Sequence, residues 1–491
     1  MEVNLLMKLK KVLGCVLSLG LLLSPLVVDA DEQSDSVGYS LDQYSDATYY
    51  SSIADAMNAT RCGLTVYLTK DWELSSPIDI VEGTTSSLNL NGYTIKRTDS
   101  PSSLGHSGEV LTLHPNSKLY LYGSNESSTY TIDANTSVSS GGFIAGGCTY
   151  NGGGIYMKEG AYLYMEKVAV VNNYALSYGG GVYISDDDCK IDMKDAKISY
   201  NTTGYLGTGA GLAINGENAQ VDLQQHSQIN NNNNTGGPGG GVYIGEENAK
   251  VKSSDSTGEI CNNTSSNKGG GIYVCYENYT ISGLKISGNK ADGDGGGICL
   301  SRYNGSLEYL TMSNNESKRG GAIYVGVQNV DLEGSTIMNN HARTSGGGVY
   351  VVAQHDLYIK GPNKICDNTS GSDNVKDDAY LETNDFVKAY LIASGMDENS
   401  NIGIKTSSNG SRRLVKGINN SKYVSCFFTD DSDRLHLSYV EADQEIFQEE
   451  GATGSIFGNG NIMIAGIILV CIVGVGGIVF YRKKKSDANK I

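Results

Sequence analysis

The 491-residue chain is poor in proline, tryptophan and phenylalanine, and its positive charges are outnumbered by negative ones. It contains only 6 Pro, 1 Trp and 7 Phe. So few prolines exclude a collagen-like or proline-rich disordered chain. Asp and Glu outnumber Lys and Arg by 54 to 37, and the net charge of −17 leaves no basic face to meet phosphates. We therefore expect no nucleic-acid partner.

Catalytic and metal-binding signatures are also scarce. The 6 His are scattered, and neither a Ser-His-Asp order nor a polygalacturonase-type motif is present. The cysteines of the predicted exterior are spread thinly, with no CxxC pair and no zinc spacing, so no dense disulfide framework is predicted. Cys275 and Cys299 fall two positions out of register in neighbouring repeats, too far apart for a bridge. The predicted exterior contains eight cysteines in all: Cys62, Cys148, Cys189, Cys261, Cys275, Cys299, Cys366 and Cys426.

Both ends carry signals for export and membrane attachment. Lysines at positions 8, 10 and 11 precede an apolar run that ends at Val28, and Val28-Asp29-Ala30 predicts a signal peptide over residues 1–30. Residues 462–480 carry no charge and are long enough to span a bilayer as a helix. Basic residues at 482–485 place the tail, residues 481–491, in the cytoplasm. This predicts a single-pass cell-surface protein with an extracellular N-terminal ectodomain.

The abundant residues are Gly and Tyr, with 63 and 32 copies, and they belong to a repeat. A Gly-rich tripeptide followed by apolar–X–apolar occurs eight times between residues 152 and 351, at spacings of 25 to 30 residues. An apolar residue followed three positions later by Asn keeps the same period, from Val170/Asn173 to Ile365/Asn368. Gly, Asn and short β-rich runs oppose helix, so each period predicts one coil of a β-solenoid.

The strand after each Gly element shows which side chains face the core. Its first and third positions are apolar in all eight copies, which predicts that they point inward and that the middle column points outward. Gly permits the positive φ of a tight corner, and Asn amides can bond from coil to coil as a ladder. We predict an all-β fold: a right-handed parallel β-helix solenoid with capping segments, plus one C-terminal transmembrane helix.

The domain organisation follows from where the repeat begins and fades. We predict an N-terminal cap over 31–64, in which Ile53, Ala54, Ala56 and Met57 form one face of a short amphipathic helix. The β-helix covers 65–370 and includes irregular first coils. Residues 371–449 lose the Gly/Asn period and are assigned to a C-terminal cap, and 450–461 form a linker to the membrane helix.

The repeat resembles that of polymorphic outer-membrane proteins and, more broadly, the pectate-lyase-like superfamily of β-helix proteins. The signature pair of the former is FxxN and GGA(I/L/V). Gly320-Gly321-Ala322-Ile323 matches its second element, and Ile, Val or Met replaces Phe in the first. The likeness covers about residues 165–370. Proteins with this repeat are mostly adhesins, so the resemblance implies a surface adhesin. The chain departs from them in ending with a single predicted helix, similar to the anchor of Gram-positive surface proteins.

The first candidate site is the middle column of the repeated strand, which is mostly Tyr. Stacked rings on an exposed sheet would form a flat aromatic stripe that binds a glycan or a protein. The alternative is that the rings stack on their own copies and stabilise the fold. The predicted binding residues are Tyr156, Tyr183, Tyr243, Tyr273, Tyr324 and Tyr350.

The second candidate site is an acidic column six residues after the Gly element. Asp187, Glu217, Glu247 and Glu277 recur at spacings of 30. Like charges about 5 Å apart repel by about 1 kcal/mol per pair in water. They are therefore predicted either to extend into solvent or to bind Ca²⁺ through oxygen ligands from adjacent coils.

The third candidate site is a stacked carboxylate pair. Asp192 and Asp222 take matching outward positions, with Lys252 next in the column. Their separation would be near that of the two carboxylates in retaining glycosidases. Outward Asp and Lys are also ordinary on alternating strands, so the pair is a weak catalytic candidate.

Three functions remain open from the sequence. The leading hypothesis is a non-catalytic adhesin or scaffold that presents a rigid face to a glycan or a surface protein. The alternatives are an extracellular polysaccharide lyase or glycoside hydrolase, which would need a convergent set of charged residues on one sheet, and a purely structural envelope protein.

Overall fold

The computed structural model describes residues 26–27, 52–59, 65–97, 108–383, 388–407, 412–418, 421–430, 435–440 and 444–450. Most of them form a parallel β-solenoid in which each regular coil contributes four short strands. Equivalent strands of successive coils pair in register, for example Ile155 beside Val182. The predicted all-β parallel solenoid is confirmed. We name its four columns of strands ladders I to IV, in the order in which a coil passes through them.

Ladder I contains the apolar–X–apolar strands that follow the Gly elements. Their first and third residues are fully buried in the eight repeats, as the pattern predicts. Its strands are Ile78–Ile80, Leu111–Leu113, Ile155–Met157, Val182–Ile184, Leu212–Ile214, Val242–Ile244, Ile272–Val274, Ile298–Leu300, Ile323–Val325, Val349–Val351 and Ala379–Leu381.

Ladder II has the longest strands and alternates buried with outward side chains. In Tyr162–Glu166, for example, Leu163 and Met165 are buried while Tyr162 and Tyr164 face outward. Its strands are Thr65–Tyr67, Thr85–Asn89, Lys118–Tyr122, Tyr162–Glu166, Lys190–Lys194, Gln220–Gln224, Lys250–Lys252, Tyr279–Ser282, Gly305–Glu308, Val330–Glu333, Asp356–Gly361, Tyr390–Met396 and Arg412–Lys416. Leu26–Val27 pairs with its first strand.

Ladder III carries the apolar residue of the Asn motif, and ladder IV is the short column that leads into the next Gly element. Ladder III consists of Trp72–Leu74, Thr94–Arg97, Phe143–Ala145, Ala169–Val171, Lys197–Ser199, Gln228–Asn230, Glu259–Cys261, Lys285–Ser287, Thr311–Ser313, Thr336–Met338, Lys364–Cys366, Asn401–Thr406 and Phe427–Thr429. Ladder IV consists of Cys148–Asn151, Tyr174–Tyr178, Thr202–Thr203, Asn233–Asn234, Thr264–Ser265, Lys290–Ala291, Glu316–Arg319, His341–Ser345 and Thr369–Ser370, with Val375–Lys376 antiparallel to the last.

Eight buried Asn side chains connect the coils at the corner between ladders III and IV. In the first seven, the amide Nδ2 donates a hydrogen bond to the Oδ1 of its equivalent in the next coil, as from Asn201 to Asn232 at 3.0 Å. The same Oδ1 accepts the backbone N–H of Asn201, whose Nδ2 also reaches the carbonyl of Val170. In the last, Asn368, the Nδ2 donates to Asp378 Oδ1. The predicted amide ladder is thus confirmed, and its buried polar atoms are satisfied. Its members are Asn173, Asn201, Asn232, Asn263, Asn289, Asn315, Asn340 and Asn368.

A helix at Ile53–Ala59 packs against the first coils. Ile53, Ala56 and Met57 are buried, whereas Ala54, which the sequence places on the same face, is exposed. Successive helical residues are about 100° apart, so Ala54 turns away from the face that holds Ile53.

The parallel stacking continues past residue 370. Ala379–Leu381 pairs with Val349–Val351, and Tyr390–Met396 pairs with Asp356–Gly361. Parallel coils therefore occupy part of the segment that the sequence assigns to a C-terminal cap. The stack ends with two antiparallel strands, Leu435–Val440 and Glu445–Glu450. Two further elements are a hairpin of Ser128–Asp133 and Thr136–Ser140 and a 3₁₀ helix at Ser421–Cys426.

Most of the predicted signal peptide, the linker beyond Glu450, the predicted membrane helix at 462–480 and the tail at 481–491 lie outside the described residues. Within the part of the chain that the structure describes, no helix combines the length and apolar character needed to cross a membrane.

Candidate functional surface

The Tyr column of ladder I stacks in register but does not form an exposed stripe. Tyr183 and Tyr350 are only 7% and 4% exposed, and the other four rings are half-buried. The column points away from the core, as predicted, but its rings are partly covered. Binding by Tyr156, Tyr183, Tyr243, Tyr273, Tyr324 and Tyr350 stays a prediction, and their burial favours the alternative, in which the rings stabilise the stack.

Most rings in this column stack on their own copies, whereas Tyr156 and Tyr183 meet edge to face. Tyr243 and Tyr273 lie 5.9 Å apart with nearly parallel planes, and Tyr324 and Tyr350 lie 5.6 Å apart in the same way. Tyr380 continues the last stack at 5.2 Å. It comes after the regular repeats, where the Gly signal has faded, so the pattern did not reveal it. Such ring pairs contribute about 0.5–1.5 kcal/mol each.

The chain itself covers the column just before each ladder I strand. Gly346 has a positive φ of 68°, and a Cβ there would lie 2.9 Å from the Cβ of Tyr350. Beside it, Arg319 makes a bidentate ion pair with buried Asp294 at 2.9 and 3.0 Å. Its guanidinium lies 5.0 Å from the ring centre of Tyr324 and 5.2 Å from that of Tyr350. Burial raises the pKa of Tyr324 to about 12, so this hydroxyl stays protonated.

The acidic residues after ladder I occupy equivalent positions in successive coils, where Asp187 and Glu217 are exposed and Glu247 and Glu277 are half-buried. Asp187 accepts the backbone N–H of Glu217 at 2.9 Å, and both side chains are exposed. Burial, followed by the charges of Glu217, Asp187 and Glu247, raises the pKa of neighbouring Glu246. Across the described residues, no three His, Cys, Asp or Glu side chains are placed to hold a metal ion. The Ca²⁺ site at Asp187, Glu217, Glu247 and Glu277 stays a prediction.

The stacked carboxylate pair forms, but both members are engaged within the sheet. Asp192, Asp222 and Lys252 occupy one outward column, as the spacing predicts. Asp192 accepts the hydroxyl of Tyr162 at 2.7 Å. Asp222 is 7% exposed and accepts the backbone N–H of Ser254 at 2.9 Å, with the Lys252 ammonium 3.6 Å away. These contacts favour a structural role, and catalysis by the pair stays a prediction.

A different aromatic group lies on the outward face of ladder II, where the tyrosines are less deeply buried than most of those in ladder I. Tyr120, Tyr122, Tyr162 and Tyr164 project from two adjacent strands, and all are half-buried. The rings of Tyr120 and Tyr164 are 5.8 Å apart, and those of Tyr122 and Tyr164 are 5.6 Å apart. We call these four residues the ladder II tyrosine cluster. The signal is the alternation in Leu119-Tyr120-Leu121-Tyr122 and Tyr162-Leu163-Tyr164-Met165, which lies outside the Gly-centred motif.

Carboxylates accept hydrogen bonds from two hydroxyls of the cluster, and an ammonium group lies at its edge. Tyr162 donates to Asp192, and Tyr164 donates to Glu166 at 2.6 Å. Burial, reinforced by these hydrogen bonds, raises the pKa of both tyrosines, so their hydroxyls remain donors. The Lys194 ammonium lies 5.4 Å from the ring centre of Tyr164. The cluster thus combines aromatic faces with carboxylate acceptors and one ammonium donor.

Cysteine chemistry adds no site to this surface. Among the described cysteines, the thiols of Cys189, Cys261, Cys275, Cys299, Cys366 and Cys426 are free and most of them are buried, so Cys275 and Cys299 form no bridge with each other. Burial raises the pKa of Cys261 to about 11 and that of Cys299 to about 12, so these thiols stay protonated and unreactive.

Two segments of the chain, residues 258–275 and 283–301, match the repeat of Chlamydia polymorphic membrane proteins. Each segment starts at a ladder III strand and ends at a ladder I strand, so each contains one buried Asn and one Gly element. No curated protein and no solved structure matches the chain. The resemblance inferred from the sequence is thereby confirmed: the chain is a parallel β-solenoid with repeats like those of polymorphic membrane proteins.

Proposed function

We propose that the protein is a non-catalytic cell-surface scaffold, an adhesin in the broad sense, that binds a neutral glycan on the ladder II tyrosine cluster. The observation that carries this proposal is the cluster itself: four half-buried rings that face outward from one sheet, bordered by Asp192, Glu166 and Lys194. Aromatic faces can stack on the apolar faces of sugar rings, and fixed polar groups orient the hydroxyls. The net charge of −17 disfavours acidic glycans.

Surface location is part of the proposal. It is supported by the likeness of the repeat to that of polymorphic membrane proteins and by the export signal and single-pass anchor predicted from the sequence. We also propose that the solenoid is right-handed, because strand–crossover–strand connections in parallel sheets are right-handed in about 98% of cases.

A protein partner is the second candidate, favoured by one observation. Tyr205 and Leu206 lie at the tip of a turn after ladder IV and are 81% and 76% exposed. A large aromatic and a large aliphatic side chain exposed together are typical of an anchor in a protein interface.

The decisive experiment is retention of purified full-length protein in detergent on a panel of immobilised neutral polysaccharides and mucins, with released product recorded in parallel. Retention without product supports the proposal. Tyr164→Ala removes one ring of the cluster and should weaken binding about fivefold, corresponding to about 1 kcal/mol of ring stacking.

The matched control is Tyr150→Ala, which removes an exposed ring on ladder IV. Equal retention of wild type and Tyr164→Ala would refute the assigned face. Product above background would make the protein an enzyme and direct attention to Asp192 and Asp222. Failure of every glycan, together with binding of a surface protein that is lost in Leu206→Ala, would favour the second candidate.

A further inference from the structure

A groove of about 420 Å³ lies on the same outward face, farther along the solenoid. It is bordered by the turns that lead into ladder II and by outward residues of that ladder. Five strand steps separate Tyr162–Glu166 from Gly305–Glu308, which corresponds to about 24 Å along the axis at about 4.8 Å per step. None of the candidate residues found from the sequence lines it. Residues that matter here are Tyr279, Asn304, Gly305, Ser306, Asp331 and Tyr358.

Tyr279 is the unusual member of this groove. It occupies an inward position that Ala249 holds one coil earlier and Gly305 one coil later. Gly305 makes room for the ring, since a Cβ there would lie 1.9 Å from the ring carbon that carries the hydroxyl. Tyr279 is 1% exposed, and its hydroxyl has no hydrogen-bond partner among the described residues.

An unpaired buried hydroxyl is costly, so native proteins rarely keep one without a partner. Burial also raises the pKa of Tyr279, which leaves the hydroxyl a neutral group that can donate and accept. Tyr279 and Gly305 both line the groove, and the hydroxyl oxygen itself is closed off from solvent. A ligand hydroxyl therefore supplies the missing partner only when the chain beside Gly305 moves aside.

The rest of the groove is polar but balanced in charge. Asp331 is paired with Lys360 at 2.6 Å, and Ser306 donates to Glu308 at 2.6 Å. On the exposed side, Asn329 Nδ2 donates a hydrogen bond to Asn304 Oδ1 at 3.1 Å. Tyr358 adds a half-buried ring in the column of Ser306 and Asp331. Amide, hydroxyl and carboxylate groups beside a ring suit a ligand rich in hydroxyls and without net charge.

From this arrangement we infer that the groove is a second subsite for a neutral glycan, in which the Tyr279 hydroxyl pairs with a sugar hydroxyl. The inference rests on the proposed function, because one glycan chain along ladder II would contact the tyrosine cluster and the groove together. Two linked contacts raise the apparent affinity for long chains far above that for short ones.

Chain-length dependence tests the inference. Full-length protein is titrated with malto-, cello-, manno- and chito-oligosaccharides of three and eight units, the longer of which exceed the separation of the two sites. Wild type should bind the eight-unit form of its preferred sugar at least about tenfold more tightly than the three-unit form. Tyr279→Phe removes only the hydroxyl and should lower that ratio several-fold, without loss of thermal stability.

Tyr303→Phe is the matched control, because it makes the same change on an exposed tyrosine and should leave the ratio unchanged. A ratio in Tyr279→Phe equal to that of wild type would overturn the inference and leave the proposed function standing, provided that Tyr164→Ala still weakens three-unit binding. Wild-type protein that binds none of these sugars, nor any polysaccharide of the panel, would overturn both.

Discussion

At the C-terminal end of the Asn ladder, two buried carboxyl groups replace a further amide. Asp378 Oδ1 accepts the backbone N–H and the Nδ2 of Asn368 at 2.7 and 3.0 Å. Asp430 Oδ2 accepts the backbone N–H of Asp378 at 2.7 Å. Both side chains are fully buried, and each has one oxygen without a hydrogen-bond partner in the described structure. A Cβ on Gly403 would meet oxygens of both within 2.7 Å, so the two carboxyls face one small space.

Two carboxylates buried this close together repel each other, which favours protonation of one of them. Burial, followed by repulsion from Asp378, raises the pKa of Asp430 to about 7. Burial also raises the pKa of Asp378 and of adjacent Asp377. The cation that faces the pair is Lys376, 3.5 Å from Asp430 and 3.7 Å from Asp378, whereas Lys405 acts on adjacent Asp377.

The effect on stability has a definite sign. The carboxyl of an unfolded Asp has a pKa near 3.9, so between about pH 4 and pH 7 the folded state holds a proton that the unfolded state has released. The stabilisation is complete below pH 4 and is lost as the pH rises through 7. The rise in the pKa of Asp430 on folding corresponds to about 4 kcal/mol, of which about 2 kcal/mol is lost between pH 5.5 and pH 7.

The substitution Asp430→Asn isolates this contribution, because an amide stays neutral at every pH and keeps an acceptor for the Asp378 N–H. The free energy of unfolding in urea is measured for both proteins from pH 5.5 to 8.5, above the pI of about 4.8. The variant should gain about 2 kcal/mol relative to wild type across that range. Asp373→Asn, on an exposed turn, is the control and should give a constant difference. If the difference in unfolding free energy between Asp430→Asn and wild type varies by less than about 0.5 kcal/mol from pH 5.5 to 8.5, the raised pKa of Asp430 is refuted.

Two further predictions concern the links between coils. Asn263→Ala should lower the free energy of unfolding by about 3–5 kcal/mol, because it leaves the backbone N–H and Nδ2 of Asn232 buried without their acceptor; urea unfolding measures this. Arg319→Lys should lower the free energy of unfolding by about 2 kcal/mol, because a single ammonium cannot keep both hydrogen bonds to buried Asp294 or stack on the tyrosines. The same urea titration measures this change.

Exposed residues of the same types serve as controls for these two changes. Asn267→Ala and Arg302→Lys should each stay within about 0.5 kcal/mol of wild type, as surface substitutions usually do. An Asn263→Ala variant as stable as Asn267→Ala would show that the amide ladder contributes nothing to stability. Arg319→Lys at wild-type stability would show that the Tyr stack does not depend on its ion pair.

The repeat made the regular coils predictable, because its signals are local and recur. Period-two alternation assigned the inward columns of ladder I, and the spacing of Val170/Asn173 and its copies located the amide ladder that the hydrogen bonds confirm. Prediction became weaker where the period fades. Ala379–Leu381 and Tyr390–Met396 join the parallel stack without the Gly element that marked earlier coils.

By itself the sequence determined the parallel β-solenoid, the core of its repeats and the stacking of like residues from coil to coil, because each depends on residue type at a fixed period. Only the tertiary structure decided which outward columns are accessible. The turn before ladder I folds back and Arg319 covers Tyr324 and Tyr350, while the tyrosines of ladder II are only half-buried. It also decided that Asp378 and Asp430, 52 residues apart, share one buried space. Exposure and proximity depend on how coils and turns pack together, and no local pattern encodes them.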